Sequence, residues 1–275
     1  MKLHPIQFLG LDEDQMPRYE NARVAILPFP YEGGVSYGAG TGKAPDAVIE
    51  ASHYLELYDE VLKTEPHEAM FTSVYQATKT LIDDGRFVIL LGGDHSISPG
   101  FFKALSEKYG AVSVVQLDAH ADLRKSYQGS KLSHACALAR IREYTSHVLQ
   151  VGIRSMSIEE AQWIEREKLS VCTMDAFRSG AFDMDAALDK MPDPVYITVD
   201  LDAFDWSVIR STGTPEPGGL YWDEAMDLLR KVFERKQVVA FDVVELSYSE
   251  TDRNSAFAAA KLIYKMIAYK LAAEA

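Results

Sequence analysis

The sequence predicts a single α/β domain, residues 1–275, with a mostly parallel β-sheet covered by helices on both faces. Three observations lead to this fold class. The chain has an ordinary globular composition, with 47% hydrophobic and 25% charged residues. Short apolar runs rich in β-branched residues alternate with longer stretches of helical character, which is typical of α/β proteins. No linker, low-complexity tract or internal repeat divides the chain, so we expect one domain.

The predicted strands are mainly apolar and show no alternation of polar and apolar residues, as expected of strands that are buried on both faces of a sheet. In chain order they cover residues 24–28, 87–91, 112–117, 148–153, 195–199 and 238–244. The predicted helices cover residues 44–57, 68–83, 99–108, 159–168, 222–235 and 255–273. Because a helix follows most strands, successive strands can return to the same edge of the sheet and pair in parallel.

Charge and cysteine content exclude several classes of partner. The chain has 28 Lys and Arg against 41 Asp and Glu, a formal net charge of −13. This acidic balance argues against binding to nucleic acid or to an anionic membrane surface. No apolar run is long enough to span a bilayer, and the amino terminus lacks the apolar core of a signal peptide. The two cysteines, Cys136 and Cys172, lie far apart in the sequence, which fits a reducing compartment, so we expect a cytoplasmic protein.

Acidic residues and histidines follow several of the predicted strands. In open parallel sheets, ligands bind outside the carboxyl ends of the strands, so side chains at these positions are candidates for a site. Three strands lead into Asp94-His95-Ser96, into DAHAD at 118–122 and into DLDAFD at 200–205, and a fourth ends at Glu245. One such motif alone is also typical of solvated loop residues. Three of them after three buried strands favour a functional site.

Six of these side chains have the composition of a binuclear metal centre. Asp118, His120 and Asp122 are spaced at i, i+2 and i+4, which places them on one face if the strand continues in extended form. Buried carboxylates are costly unless a cation neutralises them. Oxygen-rich ligation with imidazole and no thiolate favours Mn²⁺, with Ni²⁺ or Co²⁺ as alternatives. The six candidate ligands, too many for one ion and suited to two, are His95, Asp118, His120, Asp122, Asp200 and Asp202.

Five segments of the chain resemble the signatures of the ureohydrolase family, which includes arginase, agmatinase and formiminoglutamase. In order, they are LGGDHS, LDAHADLR, DLDAFD, STGTPEPGGL and VVEL. The resemblance runs from about Pro28 to the C-terminal helix, and PYEGGVSYGAGTGKAPDAVIEAS and SHACALAR are most similar to the agmatinase branch. It implies a three-layer, arginase-like α/β/α domain with about eight strands. It also implies two Mn²⁺ ions held by the same six ligands, and a homotrimer or homohexamer.

The resemblance also implies roles for individual residues. The two ions would lower the pKa of a bridging water and so supply hydroxide to attack the guanidinium carbon. Asp122 would hold this nucleophile and later pass its proton to the leaving amine. Glu245 would bind the substrate guanidinium, and His134 would contact substrate and exchange protons with solvent. The alternative for His134 is that it is a partly exposed loop histidine without a catalytic role. The alternative for Glu245 is a structural ion pair with an arginine.

Three departures from the agmatinase pattern bear on the substrate. Trp206, Arg210 and Tyr248 stand where that pattern tends to have proline. If Arg210 lines the mouth of the pocket, its charge opposes the amine of agmatine and favours a guanidino acid. It could equally point into solvent.

Agmatine is therefore the first substrate candidate, giving putrescine and urea. Another guanidino compound (a guanidino acid, arginine or guanidine) or formiminoglutamate is the alternative within the family. Two other classes are a binuclear phosphoesterase, which shares the DxH opening, and a non-catalytic ureohydrolase-like subunit. The phosphoesterase usually has further histidines late in the chain, and this sequence has none after His147. The non-catalytic subunit would be expected to have lost ligands, and all six are present.

Overall fold

The computed structural model describes residues 68–127, 130–247 and 251–273. The predicted strand at 24–28, the predicted helix at 44–57 and Tyr248 lie outside the described residues. The assignment of residues 1–275 to one domain therefore stays a prediction.

The described residues contain six strands, and these form one parallel sheet. Every neighbouring pair is parallel, and the strand order is β1-β6-β5-β2-β3-β4. This confirms the predicted fold class, while the count of about eight strands is tested only for the described part of the chain. The strands are β1 (Val88–Leu91), β2 (Ser113–Leu117), β3 (Val148–Ile153), β4 (Ser170–Thr173), β5 (Val195–Asp200) and β6 (Val238–Val244).

Eight α-helices lie in the described residues, and five of them match predicted helices. The five are α1 (Glu68–Asp83), α2 (Ser98–Tyr109), α4 (Ile158–Glu167), α7 (Trp222–Arg235) and α8 (Arg253–Ala273). Sequence analysis missed strand β4 and three helices of five or six residues, because elements this short show too few periods of a pattern. The missed helices are α3 (Ala137–Ile141), α5 (Met174–Ser179) and α6 (Met184–Asp189). In the described part of the chain, no helix has both the length and the apolar content to cross a bilayer.

The helices cover the sheet in two layers, each with its own apolar core. Side chains that alternate along a strand point to opposite faces, so each strand contributes to both cores. On β2, Val115 and Leu117 pack in the core formed with α7 and α8, and Val114 packs in the core formed with α2 and α3. The result is the predicted three-layer α/β/α arrangement, with the carboxyl ends of all six strands at one edge.

Candidate metal centre and active site

The six candidate ligands and Glu245 lie at the carboxyl ends of four strands that are neighbours in the sheet. His95 follows β1, residues 118–122 follow β2, residues 200–202 end β5, and Glu245 follows β6. Because β1, β6, β5 and β2 are consecutive in the strand order, these segments meet at one place. Residues distant in sequence thus come together as predicted.

A first cluster surrounds the ring nitrogen Nδ1 of His95. This atom lies 3.0 Å from Asp122 Oδ2, 3.2 Å from Asp118 Oδ2 and 3.3 Å from Asp200 Oδ2. His95, Asp118 and Asp122 are buried and could together hold a metal ion.

A second cluster contains His120 and Asp202 and shares Asp118 with the first. His120 Nδ1 lies 2.9 Å from Asp202 Oδ2 and 3.7 Å from Asp118 Oδ1. The ligand atoms of these three residues also lie close enough to hold an ion. Asp118 therefore directs one carboxylate oxygen at each cluster, Oδ2 at the first and Oδ1 at the second.

The local backbone differs from the extended form that the sequence spacing suggested. β2 ends at Leu117, and Asp122 has a left-handed φ of 53°. On β5, Asp200 is the last strand residue, and Asp202 lies in a 3₁₀ turn, Leu201–Ala203. The extended geometry was wrong because three or four ligands must surround one point, whereas an extended strand spreads alternate side chains along a line.

Main-chain contacts hold this irregular segment in place. The carbonyl of Asp122 accepts a hydrogen bond from Ala139 N at 3.0 Å, and Leu123 N donates to Glu160 Oε1 at 2.8 Å. Glu160 also caps α4, because its other oxygen accepts from Ser157 N at 2.7 Å. A helix cap and the loop that carries Asp122 are thus joined by one buried carboxylate.

Gly152 on β3 lies very close to the main chain of Asp118, and only a glycine leaves room for this approach. Its φ is +99°, and a Cβ at this position would lie 2.8 Å from the carbonyl oxygen of Asp118. Any larger residue would therefore push against the main chain of a candidate ligand.

Burial and mutual repulsion raise the proton affinity of two of the carboxylates. Burial, with the charge of Asp118, raises the pKa of Asp122 to about 7. Burial, with the charges of Asp118 and Asp202, raises the pKa of Asp200 well above its usual value. The pKa of Asp118 is lowered instead, because the attraction of the two neighbouring histidines outweighs the effect of its burial.

The two histidines respond to the surrounding carboxylates. Burial disfavours the charged form of each, but Asp118, Asp122 and Asp200 raise the pKa of His95 well above its usual value. For His120, whose burial is partial, the nearby aspartates raise the pKa to about 11. The aspartates of the site are therefore a concentration of negative charge that needs positive charge close by.

The donor set fits two divalent cations. His95 Nδ1 is buried and has no hydrogen-bond partner, although three carboxylate oxygens surround it. Its other nitrogen, Nε2, lies 2.9 Å from Thr198 Oγ1, so the ring orientation is fixed with Nδ1 directed into the cluster. Oxygen and imidazole ligands without thiolate match the predicted preference for metals such as Mn²⁺.

Glu245 lies beside the first cluster in a strained backbone conformation. Its φ is 68°, and its Oε1 accepts a hydrogen bond from the main-chain N–H of His95 at 2.7 Å. Burial raises its pKa to about 7. Of the three non-glycine residues with positive φ in the described part of the chain, two are Asp122 and Glu245. Strain of this kind persists where surrounding structure enforces it, often at functional sites.

His134 lies in a 3₁₀ turn, His134–Cys136, that packs against the turn carrying His95. It is half-buried, and its ring meets the ring of Tyr127 edge-on with centroids 5.8 Å apart. Burial lowers the pKa of His134, so the neutral form is favoured near neutral pH. A neutral imidazole can accept a proton, as the predicted role requires.

Two of the predicted substrate-binding residues, Trp206 and Arg210, lie at the surface. Trp206 is 47% exposed. Arg210 has an exposed side chain, and its main-chain N–H donates to Ser255 Oγ at 3.1 Å. A contact of either residue with substrate stays a prediction.

Asp94 and Asp205, two acids that neighbour the candidate ligands in sequence, have different roles. Asp94 caps the turn that carries His95, because its side chain accepts from Ser96 N at 2.8 Å, and so it supports this ligand through the backbone. Asp205 instead stabilises its own turn by accepting from the main chain and hydroxyl of Ser207. It orients no candidate ligand directly.

Sequence analysis missed Arg154, whose guanidinium ties together the loops of the site. Its Nη2 donates to the carbonyl oxygens of Asp202 at 2.7 Å and Glu216 at 2.8 Å. Its Nε donates to Pro217 O at 3.0 Å, and its Nη1 to Gly152 O at 3.1 Å. The signal available in the sequence was an arginine directly after the buried strand VLQVGI, since an arginine at this edge of a sheet needs acceptors.

An α/β sheet with two Asp/His clusters at its carboxyl edge fits a metal-dependent hydrolase of the ureohydrolase type. The family model described as the Arginase family matches residues 22–268, and the chain belongs to this family. The predicted resemblance and enzyme class, a hydrolase acting on guanidino C–N bonds, are thereby confirmed. The phosphoesterase alternative is not supported.

The chain is similar to curated and solved members of the agmatinase branch. It is 34% identical to the N(1)-aminopropylagmatine ureohydrolase of Synechocystis, over 96% of this chain and 94% of the relative. It is 32% identical to the agmatinase of Pyrococcus horikoshii, over 90% and 92%. The crystal structure of the agmatine ureohydrolase of Thermoplasma volcanium superposes with a TM-score of 0.65 and 31% identity, covering 88% of this chain and 87% of that one.

Proposed function

We propose that this protein is a binuclear manganese amidinohydrolase that releases urea from a guanidino compound with an amine tail. Agmatine, which would give putrescine, is the first candidate, and N(1)-aminopropylagmatine is the second. The observation that carries the proposal is the sharing of Asp118 by two Asp/His clusters beside the Glu245 carboxylate. The names of the relatives support the substrate class.

Six side chains would hold the ions. His95, Asp122 and Asp200 would bind the first, His120 and Asp202 the second, and Asp118 would bind both. Two bound divalent ions would supply Lewis acidity and lower the pKa of water at the site. Mn²⁺ fits the donor set best, with Ni²⁺ and Co²⁺ as alternatives.

The remaining chemistry belongs to side chains of this chain. Glu245 would bind the guanidinium through the carboxylate oxygen that His95 N does not occupy. Asp122 would hold a proton of the nucleophile through a carboxylate oxygen and pass it to the leaving amine. His134, neutral near pH 7, would exchange protons between the site and solvent.

The charges around the site favour a substrate that is positive at both ends. The four ligand aspartates would balance two divalent ions, which leaves Glu245 and Glu216 as negative charges. Glu216 is partly exposed, and its Oε1 lies 3.9 Å from His120 Nε2. The guanidinium of Arg154 adds one positive charge nearby, but its N–H groups donate to main-chain carbonyls and are not offered to a substrate. Glu245 would pair with the guanidinium and Glu216 with the amine.

The test is a urea-release assay of Mn²⁺-loaded protein. The substrates are agmatine, N(1)-aminopropylagmatine, arginine, guanidine and guanidinobutyrate, with formamide release from formiminoglutamate measured in parallel. We expect one of the two amines to have a kcat/KM at least about tenfold above that of guanidinobutyrate, which corresponds to about 1.4 kcal/mol. Elemental analysis should show two ions per active chain. Activity with one tightly bound ion or none would contradict the binuclear centre.

Variants of Glu216 and Arg210 test whether the enzyme prefers a substrate with an amine tail or one with a carboxylate tail. Glu216→Gln should lower the ratio of kcat/KM for agmatine to that for guanidinobutyrate. If Arg210 instead lines the mouth, Arg210→Ala should raise this ratio. Arg230→Ala, which changes an exposed arginine on α7, is the control. A preference for guanidinobutyrate that Arg210→Ala reverses would replace the agmatinase assignment.

The assembly and compartment are part of the same proposal. We expect a homotrimer or homohexamer in the cytoplasm, on the basis of the family. Light scattering of the purified protein measures the first, and fractionation of the producing cell measures the second.

A further inference from the structure

A row of four buried polar residues crosses the sheet directly beneath the candidate metal centre. The four occupy paired positions on adjacent strands, β3, β2, β5 and β6, and all are at most 1% exposed. Each lies one to three residues before the end of its strand, on the face that α2 covers. We call them the polar row: Gln150, Gln116, Thr198 and Asp242.

Two glutamines of this row form a relay that ends on Asp118. Gln150 Nε2 donates to Ala121 O at 2.7 Å and to Gln116 Oε1 at 2.6 Å. Gln116 Nε2 in turn donates to Asp118 Oδ2 at 2.6 Å. Gln150 Oε1 is buried and has no hydrogen-bond partner.

The direction of the relay is fixed at its far end. The carbonyl of Ala121 can only accept, so the amide nitrogen of Gln150 must face it. The same nitrogen faces Gln116, which must therefore turn its oxygen towards Gln150 and its nitrogen towards Asp118. Reversing either amide would bring two acceptors together. The orphaned Gln150 Oε1 is consistent with this fixed orientation.

The relay acts on the one carboxylate that both clusters share. Asp118 Oδ1 accepts from the main-chain N–H of His120 at 2.6 Å, and Oδ2 accepts from Gln116. A donor on each oxygen fixes the rotation of the carboxylate. That rotation is what directs Oδ2 at the cluster of His95 and Oδ1 at the cluster of His120.

We propose that Gln116 is a positioning residue for the shared ligand Asp118 and that Gln150 acts on the same ligand only through Gln116. The inference rests on the proposed binuclear centre, and it assigns a role to two residues that touch neither ion nor substrate. Partners that orient a ligand in this way typically contribute a factor of 10–100 to metal affinity.

The experiment measures Mn²⁺ binding to metal-free protein by titration calorimetry. Gln116→Met, which keeps the chain length and removes the amide, should weaken Mn²⁺ binding by about tenfold or more. Gln150→Met should have a smaller effect. The double variant should bind no more weakly than Gln116→Met alone, because residues that act in series are not additive. At saturating Mn²⁺, kcat should remain reduced while KM changes little.

Ser113→Ala is the matched control. Ser113 is buried on the same strand, and its hydroxyl donates to Pro192 O at 2.6 Å, away from the clusters. This variant should lose thermal stability and keep its Mn²⁺ affinity. If Gln116→Met does not fold, Gln116→Asn, which withdraws the amide by one carbon, replaces it.

The outcomes separate this inference from the proposal on which it rests. Wild-type protein that binds no divalent ion would overturn the metal centre and the inference together. Wild-type protein that binds Mn²⁺, with an affinity that Gln116→Met leaves within twofold, would overturn the inference alone. Additive losses in the double variant would overturn the serial arrangement of Gln150 and Gln116.

Discussion

Replacing Arg154 should loosen the loop that carries Asp202 and weaken the second metal cluster. In the native protein the guanidinium makes four hydrogen bonds of 3.1 Å or shorter to main-chain carbonyls. Two of these acceptors, the carbonyls of Gly152 and Asp202, belong to buried residues. The other two belong to Glu216 and Pro217, on a loop where water can replace the arginine.

The expected loss in the free energy of unfolding follows from the two buried carbonyls. Leaving a buried acceptor without a donor costs about 1–3 kcal/mol, so Arg154→Gln should lower the free energy of unfolding by about 4 kcal/mol. For a chain of this size, that corresponds to a fall in melting temperature of about 8–16 °C. Arg154→Lys keeps a charge and some of the bonds, so about half the loss is expected. Mn²⁺ binding at the second cluster should weaken by about 10–100-fold.

Thermal unfolding of metal-free protein and Mn²⁺ titration measure these two effects separately. Arg178→Gln is the control, because Arg178 donates to Gly219 O in the same loop region and contacts no candidate ligand. We expect this control to keep wild-type Mn²⁺ affinity. An Arg154→Gln variant that melts within about 2 °C of wild type and binds Mn²⁺ equally well would refute the reasoning.

Three further outcomes are expected. Gly152→Ala should destabilise the fold and weaken Mn²⁺ binding, because its Cβ would lie 2.8 Å from Asp118 O at a φ of +99°; a calorimetric melt equal to wild type would contradict this. Burial lowers the pKa of His134, so the unfolded chain takes up this proton first as pH falls below about 6.5. Wild-type stability should therefore fall more steeply with acidification than that of His134→Asn in urea melts at a series of pH values, and parallel curves would rule out the effect. Glu245→Gln should raise KM for agmatine by about tenfold or more and leave Mn²⁺ stoichiometry at two, since a neutral amide cannot pair with guanidinium; an unchanged KM would remove Glu245 from the substrate site.

The sequence was sufficient to predict the sheet and the convergence of the ligands. Apolar runs of five or more residues mark buried strands, and in a parallel sheet all carboxyl ends lie at one edge. The positions of His95, Asp118 and Asp200 follow from these two facts. Their mutual distances do not, because they depend on the left-handed turn at Asp122 and the 3₁₀ turn after Asp200.

Three residues that support the site, Arg154, Gln116 and Gln150, were not predicted from the sequence. Arg154 binds carbonyl oxygens, which every residue carries, so no residue pattern marks its partners. Gln116 and Gln150 were visible as polar residues within apolar strands. Their pairing depends on the register of β2 against β3, which the sequence does not state. The role of Asp205 could not be predicted either, because an acid next to a ligand motif can serve its own turn.

The polar row also bears on how the sheet selects its alignment during folding. A strand that is apolar on both faces can slide by one residue and exchange one apolar side chain for another at little cost, so its hydrophobic pattern specifies register weakly. A slide of β2 by one residue would move Gln116 away from Gln150 and Thr198 and bury its amide among aliphatic side chains without partners. The four polar positions therefore favour a single alignment of β3, β2, β5 and β6, and in that alignment the carboxylates of Asp118 and Asp200 both approach His95 Nδ1.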